Sequence, residues 1–155
     1  MKIYKTFSSR ETKKLGESIA RDLVLSKPKG LSHSNPERGA TVVALVGDLG
    51  SGKTTFAQGF LRGLGVRGKI TSPTFVILKR YALRALRFAH VHHADLYRLN
   101  AKQLAPLGFK ELLKDPRSIV LVEWADRTKK IFPKDTVWIR FEHGEKESKR
   151  IIKIV

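Results

Sequence analysis

The spacing Gly47-x-x-x-x-Gly52-Lys53-Thr54, inside "LVGDLGSGKTTFAQGF" (Leu45 to Phe60), places four residues where a phosphate chain would need them. Gly47, Gly50 and Gly52 leave the backbone unobstructed, so the N–H groups from Gly50 through Ser51 and Gly52 can turn inward at phosphate oxygens. A helix opening near Lys53 adds the positive end of its dipole to the same place. Lys53 supplies a point charge for the β and γ phosphates, Thr54 a hydroxyl for Mg²⁺, and Thr55 a contact to the α phosphate.

Nucleotide hydrolases built on such a loop also need an acid at a strand end to hold Mg²⁺, directly or through water. Glu123 closes the apolar run "SIVLVEW", and Asp95 closes another in "HHADLYRL". Each also fits an ordinary acid at a strand terminus. "TSPTF" (Thr71 to Phe75) reads either as a plain proline turn or as a switch that senses the γ phosphate through Ser72 or Thr74. His90, His92 and His93 invite a metal, but no cysteine and no further histidine stands at ligand spacing. Sheet packing or solvent is therefore preferred to zinc.

These residues need elements to hold them. "ATVVALVG" (40–47) and "RSIVLVEW" (117–124) are continuous apolar runs, as expected of strands buried on both faces of a mostly parallel sheet. "KTTFAQGFLRGLG" sets Phe56, Phe60 and Leu64 at i, i+4, i+8 and predicts a helix that Gly63 or Gly65 ends. Upstream, "KIYKTF" predicts a short strand. "SSRETKKLGESIARDLVL" predicts a helix opened by a Ser8–Glu11 capping box, with Leu15, Ile19, Ala20 and Leu23 on its buried face. Residues 26–39, with two prolines, two glycines and three serines, predict a flexible loop.

"TFVILKRYAL" (74–83) and "RFAHVHHADLYRL" (87–99) predict two strands joined through "LRALR" as an antiparallel pair. "NAKQLAPLGFKELLKD" predicts short helices broken near Pro106. "TVWIRFEHGEKESKRIIKIV" predicts a C-terminal β-hairpin, with Val137, Ile139 and Phe141 facing one way and Trp138 and Arg140 the other. The whole predicts one α/β domain over 1–155: a mixed β-sheet flanked by helices, of the P-loop NTPase-like kind.

The composition sets outer limits. With no cysteine there are no disulfides, thiolate metal sites or thiol nucleophiles. No apolar run approaches the ~18 residues needed to span a bilayer, and the N-terminus carries no apolar core of signal-peptide length. A cytoplasmic protein is expected. The net charge is +17, from 31 Lys+Arg against 14 Asp+Glu. That charge fits attraction to RNA or to an acidic protein, and it fits equally a lysine-rich proteome. "RYALRALR" is a basic cluster open to both readings.

In chain order, "GDLGSGKTTFAQGFLRGLG", "ITSPTFVI", "HADLYRL", "LGFKELL" and "IVLVEWADR" together resemble the TsaE (YjeE) family, along nearly the whole chain from about Ser8. The loop alone is generic, whereas its combination with "SPTF", "DLYRL" and "VEW" is specific to that family. The resemblance implies a small ATPase of the bacterial tRNA threonylcarbamoyladenosine pathway that binds ATP or ADP with Mg²⁺ and hydrolyses ATP slowly when alone. It implies TsaB and TsaD as partners, which transfer a threonylcarbamoyl group to the adenosine beside the anticodon, with the ATP cycle resetting or regulating them.

Carried over by motif, Lys53 neutralises phosphate charge, Thr54 and Glu123 serve the metal, and Asp95 positions water. Thr74 belongs to the switch, Trp124 stands near the nucleotide, and Thr12 approaches the base. The polar stretch at 26–39 and the high positive charge depart from the usual family pattern. The charge leaves direct tRNA contact open.

Two other classes fit parts of the sequence. A small-molecule or nucleoside kinase would need a lid, for which "RYALRALR" is a short candidate. A nucleotide-gated RNA-binding module would use the charge. Fast phosphoryl transfer to water needs an arginine at the transition state. Arg98 and Arg127 lie near the motif acids, but neither sits in a recognisable finger loop, so a partner is expected to complete catalysis.

Overall fold

The computed structural model describes residues 1–25, 39–73, 77–84 and 87–155. The loop expected over 26–39, apart from Gly39, and the side chain of Thr74 lie outside these residues. In chain order the elements are β1 (Lys2–Thr6), α1 (Ser9–Leu25), β2 (Thr41–Gly47), α2 (Lys53–Gly63), β3 (Leu78–Ala82) and β4 (His90–Asp95). Then follow α3 (Ala101–Leu104), α4 (Phe109–Leu112), β5 (Ser118–Glu123), β6 (Val137–His143) and β7 (Arg150–Ile154). Short 3₁₀ turns cover Ala105–Leu107 and Ala125–Ile131.

The strands form one mixed sheet in the order β1-β7-β6-β2-β5-β4-β3. The four inner strands, β6, β2, β5 and β4, run parallel. The expected antiparallel pair β3/β4 closes one edge, and the hairpin β6/β7 followed by β1 closes the other. "SIVLVE" and "TVVALVG" are almost wholly buried because helices cover both faces of the sheet. Val43, Leu45, Ile119, Leu121, Ile139 and Phe141 pack on Phe56, Phe60 and Leu61 of α2. Their strand neighbours Val42, Ala44, Val120 and Val122 pack on the other side with Leu104 and Phe109. Val137, Ile139 and Phe141 face the first cluster and Trp138 the second, as the alternation predicts.

Ser8 Oγ accepts the Glu11 N–H at 3.2 Å, as a capping box requires. Glu11 reaches back to the Phe7 N–H at 2.9 Å, one residue beyond the cap. The two glycines offered as helix stops divide the work. Gly65, at φ 88°, makes the left-handed turn after α2. Gly63 lies inside the helix, where a Cβ would stand 2.5 Å from Glu17 O of α1. Gly16 and Gly59 are the same kind of contact, so α1 and α2 meet backbone to backbone along a glycine seam. The basic cluster offered as a kinase lid begins inside β3, since Arg80, Tyr81 and Ala82 are paired with β4. Its first three residues therefore belong to the sheet. Among the described residues no helix is long and apolar enough to cross a membrane.

Candidate functional site

β2, β4 and β5 are parallel, so their C-terminal ends share one edge of the sheet. β2 ends at Gly47 and opens the glycine loop, β4 ends at Asp95 and β5 ends at Glu123. The register sets Glu123 opposite Asp95 on one side and Leu45 on the other. Segments far apart in the chain are thereby delivered to one place by strand pairing alone.

The loop enters α2 through Gly52, which stands at φ 101° and offers no side chain to cap the first turn. The N–H groups at the head of α2 therefore take no side-chain cap, and the positive end of the helix faces the loop. Lys53 is only 4% exposed, although it carries a charge at the start of a helix. Its ammonium donates to Gly47 O and Asp48 O, both at 2.7 Å, and lies 3.8 Å from the centre of the Trp124 ring. Burial pulls the Lys53 pKa below the ordinary lysine value, while the carboxylates of Glu123, Asp126, Asp48 and Asp95 oppose that pull.

Thr54 Oγ1 donates to Glu123 Oε2 at 2.6 Å. The other carboxylate oxygen, Oε1, faces His93 Nε2 at 2.8 Å. Asp95 accepts the Tyr97 N–H at 2.9 Å, and its own N–H donates to Ile77 O at 3.0 Å. That bond ties the chain leaving Thr71–Pro73 to the end of β4. Among the described residues, Ile77 and Trp124 are the non-glycine residues with positive φ, at 67° and 60°. Such backbone is uncommon for bulky side chains, and both instances adjoin the acids. Trp124 is held there by Lys53, by the Tyr97 ring at 4.8 Å and by the Arg127 guanidinium at 5.9 Å.

On the far side of the loop lies an open cleft of about 540 Å³. Ser8 and Thr12 of the α1 end, Gly50, Gly52 and Thr55, and Arg150 of β7 line it. Thr12 is 2% exposed and its hydroxyl is used internally, with Thr6 Oγ1 at 2.8 Å and Ser8 O at 3.1 Å. Arg150 bridges the C-terminal hairpin to the loop by donating to Gly50 O at 3.0 Å.

The structure thus gathers Gly50, Ser51, Gly52, Lys53, Thr54, Thr55, Asp95, Glu123 and Trp124 at one sheet edge, with Thr12 lining the adjoining cleft. An uncapped helix head, a buried ammonium and a hydroxyl–carboxylate pair suit an anion accompanied by a hard cation. Among the described residues no three His, Cys, Asp or Glu side chains gather as a metal cage. A cation here would draw on the hydroxyl, one acid, water and the anion itself, as magnesium commonly does.

Two participants escape a reading of the sequence. His93 is neither solvent-facing nor mere packing, since it meets Glu123; the signal was its place two residues before Asp95, on the same strand face. Arg150 lies far from every motif and reaches the loop only because β6 and β7 pair.

Residues 6–152 match the family described as threonylcarbamoyl adenosine biosynthesis protein TsaE. A protein of that name from Haemophilus influenzae is 33% identical over 105 residues, which cover 67% of this chain and 64% of that one. Another, from Bacillus subtilis, is 36% identical over 110 residues, covering 71% and 66%. A third, from Synechocystis, is 42% identical over 90 residues, covering 56% and 55%. The aligned stretches thus span somewhat less than two thirds of these relatives' own length. The solved structure of Bacillus subtilis YdiB superposes with a TM-score of 0.72 at 27% identity, covering 99% of this chain and 83% of that one. With a family match that runs through nearly every element of the sheet and through the whole of the site, the chain belongs to the TsaE family of threonylcarbamoyl adenosine biosynthesis proteins.

Proposed function

We propose that this protein is a Mg²⁺-dependent ATP-binding protein with weak intrinsic ATPase activity. In this reading it acts as an accessory subunit to TsaB–TsaD in forming threonylcarbamoyladenosine beside the anticodon of tRNA. The observation that carries the reading is the 2.6 Å Thr54–Glu123 bond at the uncapped head of α2, with the Lys53 ammonium beside it. The N–H groups at the head of α2 and the Lys53 charge bind the phosphates of ATP or ADP. Thr54 and Glu123 hold the metal, and Asp95, across the register from Glu123, orients the attacking water. Bound Mg²⁺ would draw negative charge from the phosphate oxygens. The cleft beside Thr12 and Arg150 suits the nucleoside.

Weak activity alone follows from the arginines. In this reading Arg127, whose guanidinium lies over the Tyr97 ring 4.9 Å from its centre, is held by the aromatic pair Tyr97–Trp124 and does not act at the transition state. A partner that supplies or frees an arginine would raise the rate. The test is ATP hydrolysis with and without TsaB–TsaD, comparing wild type with Lys53→Ala and Glu123→Ala. Partner-stimulated turnover lost in both variants supports the reading, and activity indifferent to partner and variant overturns it.

A further inference from the structure

Each oxygen of the Glu123 carboxylate has its own donor. Oε2 takes the Thr54 hydroxyl, at the half-buried mouth of the site. Oε1 faces His93, whose side chain is completely buried, while Glu123 is 1% exposed. His93 and Asp95 lie on one face of β4, and Leu121 and Glu123 face the same way on β5. With His93 opposite Leu121 in register, His93 and Glu123 are diagonal neighbours.

The ring's proton can be placed from its surroundings. His93 Nδ1 is buried with no hydrogen-bond partner among the described residues. A proton there would be sealed from water without an acceptor, whereas a proton on Nε2 meets a carboxylate oxygen at 2.8 Å. Nε2–H is therefore the donor and Oε1 the acceptor.

We propose that His93 is the positioning residue of this site. It pins Oε1 and so fixes the plane of the carboxylate, leaving Oε2 turned toward Thr54 and the cation. The inference rests on the reading of Thr54 and Glu123 as the magnesium pair. His93 itself touches neither nucleotide nor metal. Without it, Oε1 would be a buried carboxylate oxygen with no donor, and the carboxylate plane would be free to rotate out of line with Thr54 and the cation. A buried donor behind a metal-holding carboxylate commonly governs metal affinity by 10–100-fold.

The experiment measures binding of a fluorescent ADP analogue in EDTA, then the Mg²⁺ concentration that half-saturates the metal-dependent change. It compares wild type, His93→Leu and His93→Gln, with thermal melts of each. The expected result for His93→Leu is a rise of about tenfold or more in half-saturating Mg²⁺, with binding in EDTA unchanged. His93→Gln, whose amide N–H reaches the same oxygen, recovers most of the loss.

Equal half-saturation in wild type and His93→Leu overturns the proposal and leaves the functional reading standing. Wild-type binding indifferent to Mg²⁺ overturns both. Should His93→Leu fail to fold, His93→Gln is compared with His93→Asn, whose shorter amide does not reach Glu123. Equal half-saturation in those two overturns the proposal.

Discussion

Thr54 and Glu123 are 69 residues apart in sequence and 2.6 Å apart from hydroxyl to carboxylate oxygen. One opens α2 and the other ends β5, so the pair exists only because β2 and β5 are neighbours in register. Glu123→Gln keeps the volume and one acceptor oxygen but removes the charge that a cation needs. It is expected to lower Mg²⁺-dependent ATP hydrolysis by about tenfold or more, with little loss of melting temperature. Steady-state turnover across a Mg²⁺ series checks this. Unchanged turnover would remove Glu123 from the metal's side of the site.

Lys53 holds a buried charge that burial disfavours and four nearby carboxylates support. Lys53→Met keeps the stem against Trp124 and deletes the ammonium. The two loop carbonyls it served belong to Gly47 and the exposed Asp48, where water can replace it. Nucleotide affinity is expected to fall at least about tenfold, since a charge-assisted contact to phosphate is worth roughly 1.5–3 kcal/mol, while the melting temperature holds or rises. Isothermal titration and a thermal melt separate the two effects. A variant that binds ADP as wild type does would show that Lys53 does not face the phosphates.

Much of this arrangement was legible in the sequence because it is local or periodic. "TVVALVG" and "SIVLVE" announce buried strands by their apolar runs, and the glycine loop announces itself by spacing. What stayed hidden depends on pairing. Nothing in "KIYKT" says that β1 joins β7 and not β2, and nothing near Arg150 says that it reaches Gly50. His93 reads as one of three similar histidines until the register sets it beside Glu123. Its strand neighbour His92 faces the opposite side of the sheet, toward Ser118.

The glycine seam was hidden for the same reason, and it makes a stability prediction. A Cβ on Gly16 would stand 2.4 Å from Phe56 O, and one on Gly59 2.0 Å from Lys13 O. Both obstacles are backbone and cannot rotate away. Alanine raises helix propensity by about 1 kcal/mol at an exposed site, yet here each substitution must push α1 off α2. Gly16→Ala and Gly59→Ala are each expected to destabilise the fold by about 1–3 kcal/mol. Urea unfolding measures it, and a gain in stability would mean that the helices are not in contact at these glycines.

Charge is distributed unevenly. Of the 14 acids, four (Asp48, Asp95, Glu123 and Asp126) surround Lys53, which leaves the rest of the surface more basic than the net +17 suggests. Transfer RNA is expected to bind the isolated chain at low salt through phosphate attraction alone. That binding should weaken by orders of magnitude between about 50 and 200 mM salt. Filter binding across that range checks it. Persistence at the higher salt would instead favour the nucleotide-gated RNA-binding module.

At the opposite end of β4 and β5 from the glycine loop, His92 Nε2 and Ser118 Oγ lie 3.3 Å apart, and Ser118 donates to Asp115. Burial holds His92 below its ordinary value of 6.5, helped by the Arg80 and His90 charges and opposed by Asp115. Burial alone would raise the Asp115 carboxyl, but the Ser118 hydroxyl, the Arg117 N–H and the two histidine charges outweigh it and leave it low. Both folded-state values are thus depressed. The unfolded chain binds these protons first, so stability linked to His92 is complete above about pH 6.5 and is lost as pH falls below it. Asp115 adds its own loss only in stronger acid, below its ordinary 3.8. His92→Gln removes the titrating ring and keeps a polar partner for Ser118. Its melting temperature should therefore fall less steeply than that of wild type as the pH is lowered from 6.5. Parallel slopes for the two proteins would show that His92 accepts its proton as readily in the folded state as in the unfolded one.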